Sequence, residues 1–223
     1  MTRAVRLATL LLLLSGMRAL AAQHPADVRF MQGMIGHHAQ ALEMTALLPA
    51  RTARPELRML AERIDVSQRD EIAMMRAWLE RHHQPVPDSG AHAGHAMAHG
   101  MKHDAATPMP HAMPGMLNAA EFDTLRAARG PAFDRHFLRY MIRHHEGALT
   151  MVKELLAQPG AGQDSEVYRF ASDVDTDQRA EIARMHALLE RYAPGSPRGN
   201  GSTRNTHGTR STTTLPTPTH DHP

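Results

Sequence analysis

The sequence predicts an all-α protein: a four-helix bundle made of two repeated αα-hairpins, with a disordered Met/His-rich linker between them. Three observations predict it. A long stretch of chain recurs, apolar side chains recur at spacings of three and four, and prolines bracket the periodic stretches.

The repeat begins at Asp27. Asp27, Phe30, Met34, Ile35, His37, His38, Ala41, Leu42 and Met44 return 107 residues later as Asp134, Phe137, Met141, Ile142, His144, His145, Ala148, Leu149 and Met151, nine identities in 18 positions. Residues 61–81 match residues 171–191 at an offset of 110, sharing Asp65/Asp175, Gln68/Gln178, Arg69/Arg179, Glu71/Glu181, Ile72/Ile182 and Met75/Met185. The second unit therefore carries three extra residues in its connecting loop, which suits the Gly- and Pro-containing residues 158–162.

Periodicity makes these segments helices. Phe30, Met34, His37, Ala41, Met44 and Leu48 form one stripe, with Met31, Ile35, His38 and Leu42 beside it. Leu57, Leu60, Ile64, Gln68, Glu71, Met75 and Leu79 form the stripe of its partner. Pro25 and Pro131 suit a first helical turn, while Pro49, Pro55, Pro159 and Pro194 are expected to interrupt or end helices. Asn118 followed by Glu121 reads as a capping box opening a short helix up to Gly130. Neither amphipathic hairpin can bury its apolar face alone, so the two are expected to pack together as one domain.

The remaining segments differ in composition. Arg3 and Arg6, the apolar run at residues 7–14 and the small residues Ala19, Ala21 and Ala22 describe a cleavable secretory signal over residues 1–22, cut after Ala21 or Ala22. That run is too short to span a bilayer, which needs about 20 apolar residues. The first hairpin then occupies 23–81, the linker 82–116, the short helix and second hairpin 117–193, and a Ser/Thr/Gly/Pro-rich tail 194–223. Linker and tail lack a helix or strand period and are expected to be disordered.

There are 17 His, 16 Met and no Cys. Without thiols there are no disulfides, and cysteine-based zinc or iron–sulfur sites are excluded. The 25 basic and 23 acidic residues are dispersed and aromatics are sparse, so no nucleic-acid surface is expected.

The candidate chemistry lies in imidazoles and thioethers. On a helix Met34 meets His37 and His38 at i+3 and i+4, and Met141 stands in the same relation to His144 and His145. Adjacent histidines diverge by roughly 100°, so a partner helix must complete any site. Thioether favours Cu(I) and imidazole suits Cu(I) or Cu(II), so mixed Met/His donors point to copper before zinc. The alternative is that Met44 and Met151 are core filler and each His a hydrogen-bonded structural residue. Glu71 with Met75, and Glu181 with Met185, sit on apolar stripes where a carboxylate needs a partner. Each carboxylate either binds metal, orients a ligating His, or pairs with a neighbouring Arg or His. Asp27 and Asp134, near helix starts, are explained by the helix dipole alone. In the linker His95, Met97, His99, Met101 and His103 alternate, followed by Met109, His111, Met113 and Met116. Such a chain can wrap several soft ions with fast exchange; otherwise it is a soluble spacer.

The doubled Phe-x-x-x-Met-Ile-x-His-His-x-x-Ala-Leu-x-Met pattern resembles the secreted bacterial family called domain of unknown function 305, over about residues 26–192. The resemblance implies a ferritin-like helical bundle exported to the periplasm or cell surface, with copper binding or tolerance in some members. Carried over, the matching positions are Met34, His37, His38 and Met44, then Met141, His144, His145 and Met151. Ferritin-like di-iron sites use Glu-x-x-His on two helices. That motif is missing from the appropriate helices here, which makes a cuprous or ferrous oxidase the lesser expectation. The sequence-based expectation is a periplasmic copper-sequestering protein without substrate turnover, whose partners are the metal ion and another copper carrier or exporter. A structural bundle without metal is the third alternative.

Overall fold

The computed structural model describes residues 23–87 and 113–193. The leader expected at 1–22, the linker donors His95, Met97, His99, Met101 and His103, and the tail lie outside the described residues.

Among the described residues all regular structure is helical: α1 (Pro25–Thr45), α2 (Pro55–Arg81), α3 (Ala119–Ala127), α4 (Gly130–Leu156) and α5 (Ser165–Arg191), with a 3-10 turn at Leu48–Ala50. Pro25, Pro55 and Pro131 all stand in first turns. Pro55 thus opens α2 instead of ending a helix. Its missing N–H is one of the amides a helix start leaves unpaired anyway, and its fixed φ is already helical. Asn118 and Glu121 form the expected reciprocal capping box on α3.

The hairpins α1–α2 and α4–α5 meet chiefly through α1 and α4, the two helices that carry the His pairs. These run antiparallel, because the end of α1 shares a core with the start of α4 and the start of α1 shares one with the end of α4. The repeated aspartates lock this arrangement. Asp27 accepts a hydrogen bond from the Gly162 amide at 2.7 Å, and Asp134 accepts one from Arg54 Nε at 2.9 Å. Each aspartate reaches the loop of the opposite hairpin, and each is only 1% exposed. The helix dipole is therefore an incomplete explanation of these residues: they are buried cross-hairpin ties.

The core is two apolar clusters. One joins Met44, Leu57, Ile64, Phe133, Phe137, Met141 and Met185; the other joins Phe30, Met34, Ile35, Met75, Trp78, Phe170 and Val174. Between them lies a waist of buried polar side chains from all four long helices: His37, His38 and Gln40 on α1, Gln68 on α2, His144 and His145 on α4, Gln178 and Glu181 on α5. No described helix is long and apolar enough to cross a membrane.

Candidate functional site

The waist places the repeated histidines on the approximate two-fold relation between hairpins. His37 and His144 stack on each other, with ring centroids 3.8 Å apart and 37° between their planes. Their neighbours diverge, as helical geometry demands: the ring centres of His37 and His38 are 6.2 Å apart, and those of His144 and His145 are 6.3 Å apart. His38 and His145 turn outward to the second helix of their own hairpins. There, His38 Nε2 lies 2.5 Å from Glu71 Oε2, and His145 Nε2 lies 2.7 Å from Glu181 Oε2. Ser67, one turn before Glu71, donates to its other oxygen at 2.9 Å.

All four imidazoles are held by the same nitrogen. His37 Nε2 is 3.0 Å from the Pro114 carbonyl, and His144 Nε2 is 3.0 Å from the His37 carbonyl. Carbonyls and carboxylates accept, so Nε2 carries the proton in each ring. In the neutral ring the lone pair is then on Nδ1. The four Nδ1 atoms are buried and have no hydrogen-bond partner among the described residues. Burial, reinforced by nearby His38, lowers the pKa of His37 to about 3. Burial and the neighbouring His37 hold His144 well below its ordinary value. Both central rings are therefore neutral donors at physiological pH. Burial pushes Glu71 upward, but its bond and charge interaction with His38, together with the Ser67 hydroxyl, outweigh that and leave it below the ordinary carboxylate value.

The donor set suits a soft or borderline ion. Unpartnered imidazole lone pairs fixed by a carbonyl or carboxylate on the other nitrogen are the usual arrangement of ligating histidine. Among the described residues, however, no three His, Asp or Glu side chains converge as a ready-made metal cage. Among the described residues, a complete ligand set would need a further donor beside imidazole, such as thioether sulfur or an amide oxygen.

The methionines divide sharply. Met34, Met44, Met75, Met141 and Met185 are all 0% exposed and sit in the apolar clusters, as does Met31 at 1%. Met151 is half-buried and packs at the edge of the second cluster. Glu71 and Glu181 are brought to His38 and His145. Gln68 and Gln178 share the waist, and the Oε1 atom of each lacks a partner among the described residues.

Sequence reasoning missed the chain segment that closes the waist. Residues 113–117, assigned to the linker and the start of α3, lie between α1 and α4. The Gln40 amide donates to the Leu117 carbonyl at 3.0 Å and accepts from the Leu117 N–H at 2.7 Å. On the other side Gly115, at φ +77°, lies directly on α4, where a Cβ on Gly147 would come within 2.0 Å of the Pro114 oxygen. The available signal was the mismatch within the repeat, Gln40 in one copy and Gly147 in the other.

Fold and waist together define a four-helix bundle with a histidine-lined centre. The chain belongs to the family described as domain of unknown function (DUF305), whose family model matches residues 27–189. A solved DUF305 fragment from Deinococcus radiodurans is 34% identical with a TM-score of 0.59, covering 76% of this chain and 98% of that one. CopM is similar in its Cu(I)-bound form at 27% identity and TM-score 0.54, covering 75% of this chain and 98% of that one. CopM in its Cu(II)-bound form gives 28% identity and TM-score 0.57, covering 75% of this chain and 97% of that one. No functionally curated protein matches the chain.

Proposed function

We propose that this is an exported copper-binding protein that sequesters copper or hands it on, without turning over a substrate. The observation that supports it best is the set of four buried imidazoles, each with Nε2 committed to an acceptor and Nδ1 unshared among the described residues. Burying four polar nitrogens without partners is costly, about 1–3 kcal/mol each, so the arrangement makes sense as a receptor for an electron-pair acceptor. The similarity to CopM in copper-bound forms adds to this reading. The signal-like residues 1–22 support export, and the alternating donors from His95 to His103 supply a soft-ion collector tethered to the bundle. In a periplasmic setting the recipient of the ion is another copper carrier or an exporter.

Glu71 and Glu181 act in this scheme by orienting His38 and His145. When copper is bound it supplies a Lewis-acidic centre for imidazole and thioether. The protein's own residues fix the ring orientation, keep the rings neutral and exclude bulk water.

Anaerobic Cu(I) titration against a competing chelator tests the proposal. The full chain should bind with sub-micromolar affinity. Replacing His37, His38, His144 and His145 with Gln should weaken the tightest binding by about 10–100-fold or more while helical circular dichroism is kept. Unchanged binding in a folded variant would remove copper from the waist.

A further inference from the structure

Two glycines of α1 replace large side chains of its repeat partner. Gly33 and Gly36 stand where the second copy has Tyr140 and Arg143. In α4, Arg143 pairs with Glu121 at 2.5 and 2.7 Å, and its guanidinium lies 5.5 Å from the Tyr140 ring. The corresponding strip of α1 is bare helix, and two methionines lie over it. A Cβ on Gly33 would meet Met151 Cε at 3.4 Å and Met113 Sδ at 3.8 Å, and one on Gly36 would meet Met113 Cε at 3.5 Å. Both side chains are thus beside one point on the helix surface, brought from α4 and from the end of the linker.

These two methionines are half-buried, in contrast to the sealed methionines of the apolar clusters. Side chains that keep part of their surface in solvent are the ones an arriving ion meets first. Met113 is also held in place. The next residue's carbonyl accepts from His37, Gly115 is seated on α4, and Leu117 is clamped by Gln40. His37 follows Gly33 by four residues, hence on the same face of α1 one turn along, and among the described residues its Nδ1 is unpartnered.

The geometry points to a site for a soft monovalent cation, Cu(I) or Ag(I), made by the thioethers of Met113 and Met151 over the Gly33–Gly36 floor. His37 is the adjacent nitrogen donor. The site rests on the copper reading above and deepens it: Met113, where the linker runs into the bundle, contributes a ligand and so places a linker donor beside the histidine waist. Thioether sulfur selects Cu(I) and Ag(I) over Zn(II). A methyl on Gly33 or Gly36 would already stand in van der Waals contact with the two methionines, so anything larger would push them aside.

The test uses the full chain with methyl-labelled methionine and substoichiometric Ag(I), followed by NMR, with Met113→Leu and Met151→Leu variants in parallel. Leucine keeps the volume and apolar character, so the fold is retained. The Met113 and Met151 methyl signals should move before those of the six sealed methionines, Met31, Met34, Met44, Met75, Met141 and Met185. Each variant should lose about tenfold or more of the affinity of that first event, and Zn(II) should leave both signals in place. First movement elsewhere, or unchanged affinity in both variants, overturns the site. If that occurs while the histidine variant still binds Cu(I) weakly, the copper reading stands without it. If the wild-type chain binds no Cu(I), both fall.

Discussion

At the scale of single residues, the central fact is that His37 and His144 are neutral, buried and stacked. Among the described residues, the titratable groups that act on them are each other, His38 and His145; the carboxylates of the waist engage the outer rings. This gives the apoprotein a defined pH response. Burial has lowered the folded pKa of His37 to about 3 from an ordinary 6.5, and that of His144 in the same direction. Below about pH 6.5 the unfolded chain takes up protons that the folded rings refuse. The stabilisation is therefore complete above that pH and declines as pH falls toward the folded value. Each ring contributes a slope approaching about 1.4 kcal/mol per pH unit. Urea midpoints of the metal-free protein should drop between pH 7 and pH 5, and a flat profile would show the rings to be protonated or exposed in the fold. The histidine pairs were legible in the sequence because they recur. The true work of Asp27 and Asp134 was not, since a carboxylate near a helix start looks the same whether it meets solvent or the opposite hairpin's loop.

At the scale of elements, the four long helices were legible because each carries a buried stripe at spacings of three and four that keeps its period through the polar waist residues. Pro55 was misjudged because a proline next to a loop can close one helix or open the next, and only the backbone decides. The strap at residues 113–117 has no period at all, so it merged into the linker. Its fit depends on Gly147. A Cβ there meets backbone atoms of Pro114 and Gly115, which cannot swing aside as a flexible side chain could. Alanine improves helix propensity by about 0.5–1 kcal/mol, yet the backbone collision should reverse the sign. Gly147→Ala should lower the thermal midpoint and expose the strap to limited proteolysis near residues 113–117. A stabilised, protease-resistant variant would show that the strap is not seated on α4.

At the scale of the whole molecule, the repeat explains the architecture and its exceptions explain the site. Two hairpins sharing the same stripe give two apolar clusters and, at equal depth in all four helices, one polar layer. Strict symmetry would leave both sides of that layer alike. Gly33, Gly36 and Gly147 break it, admitting the strap and its methionine on one side. The bundle and the candidate donors were thus readable from pattern. Which methionines are sealed and which are accessible was not, because Met34 and Met151 occupy equally regular helical positions and only packing separates them.

The most direct measurement is nitrogen-15 NMR of the histidine rings, in the metal-free protein and after loading with Ag(I). His37, His38, His144 and His145 should all appear with the proton on Nε2, and metal should shift Nδ1 of the ligating rings while leaving Nε2 protonated. Rings protonated on Nδ1, or Nδ1 signals that ignore the metal, would contradict a waist built to receive an ion.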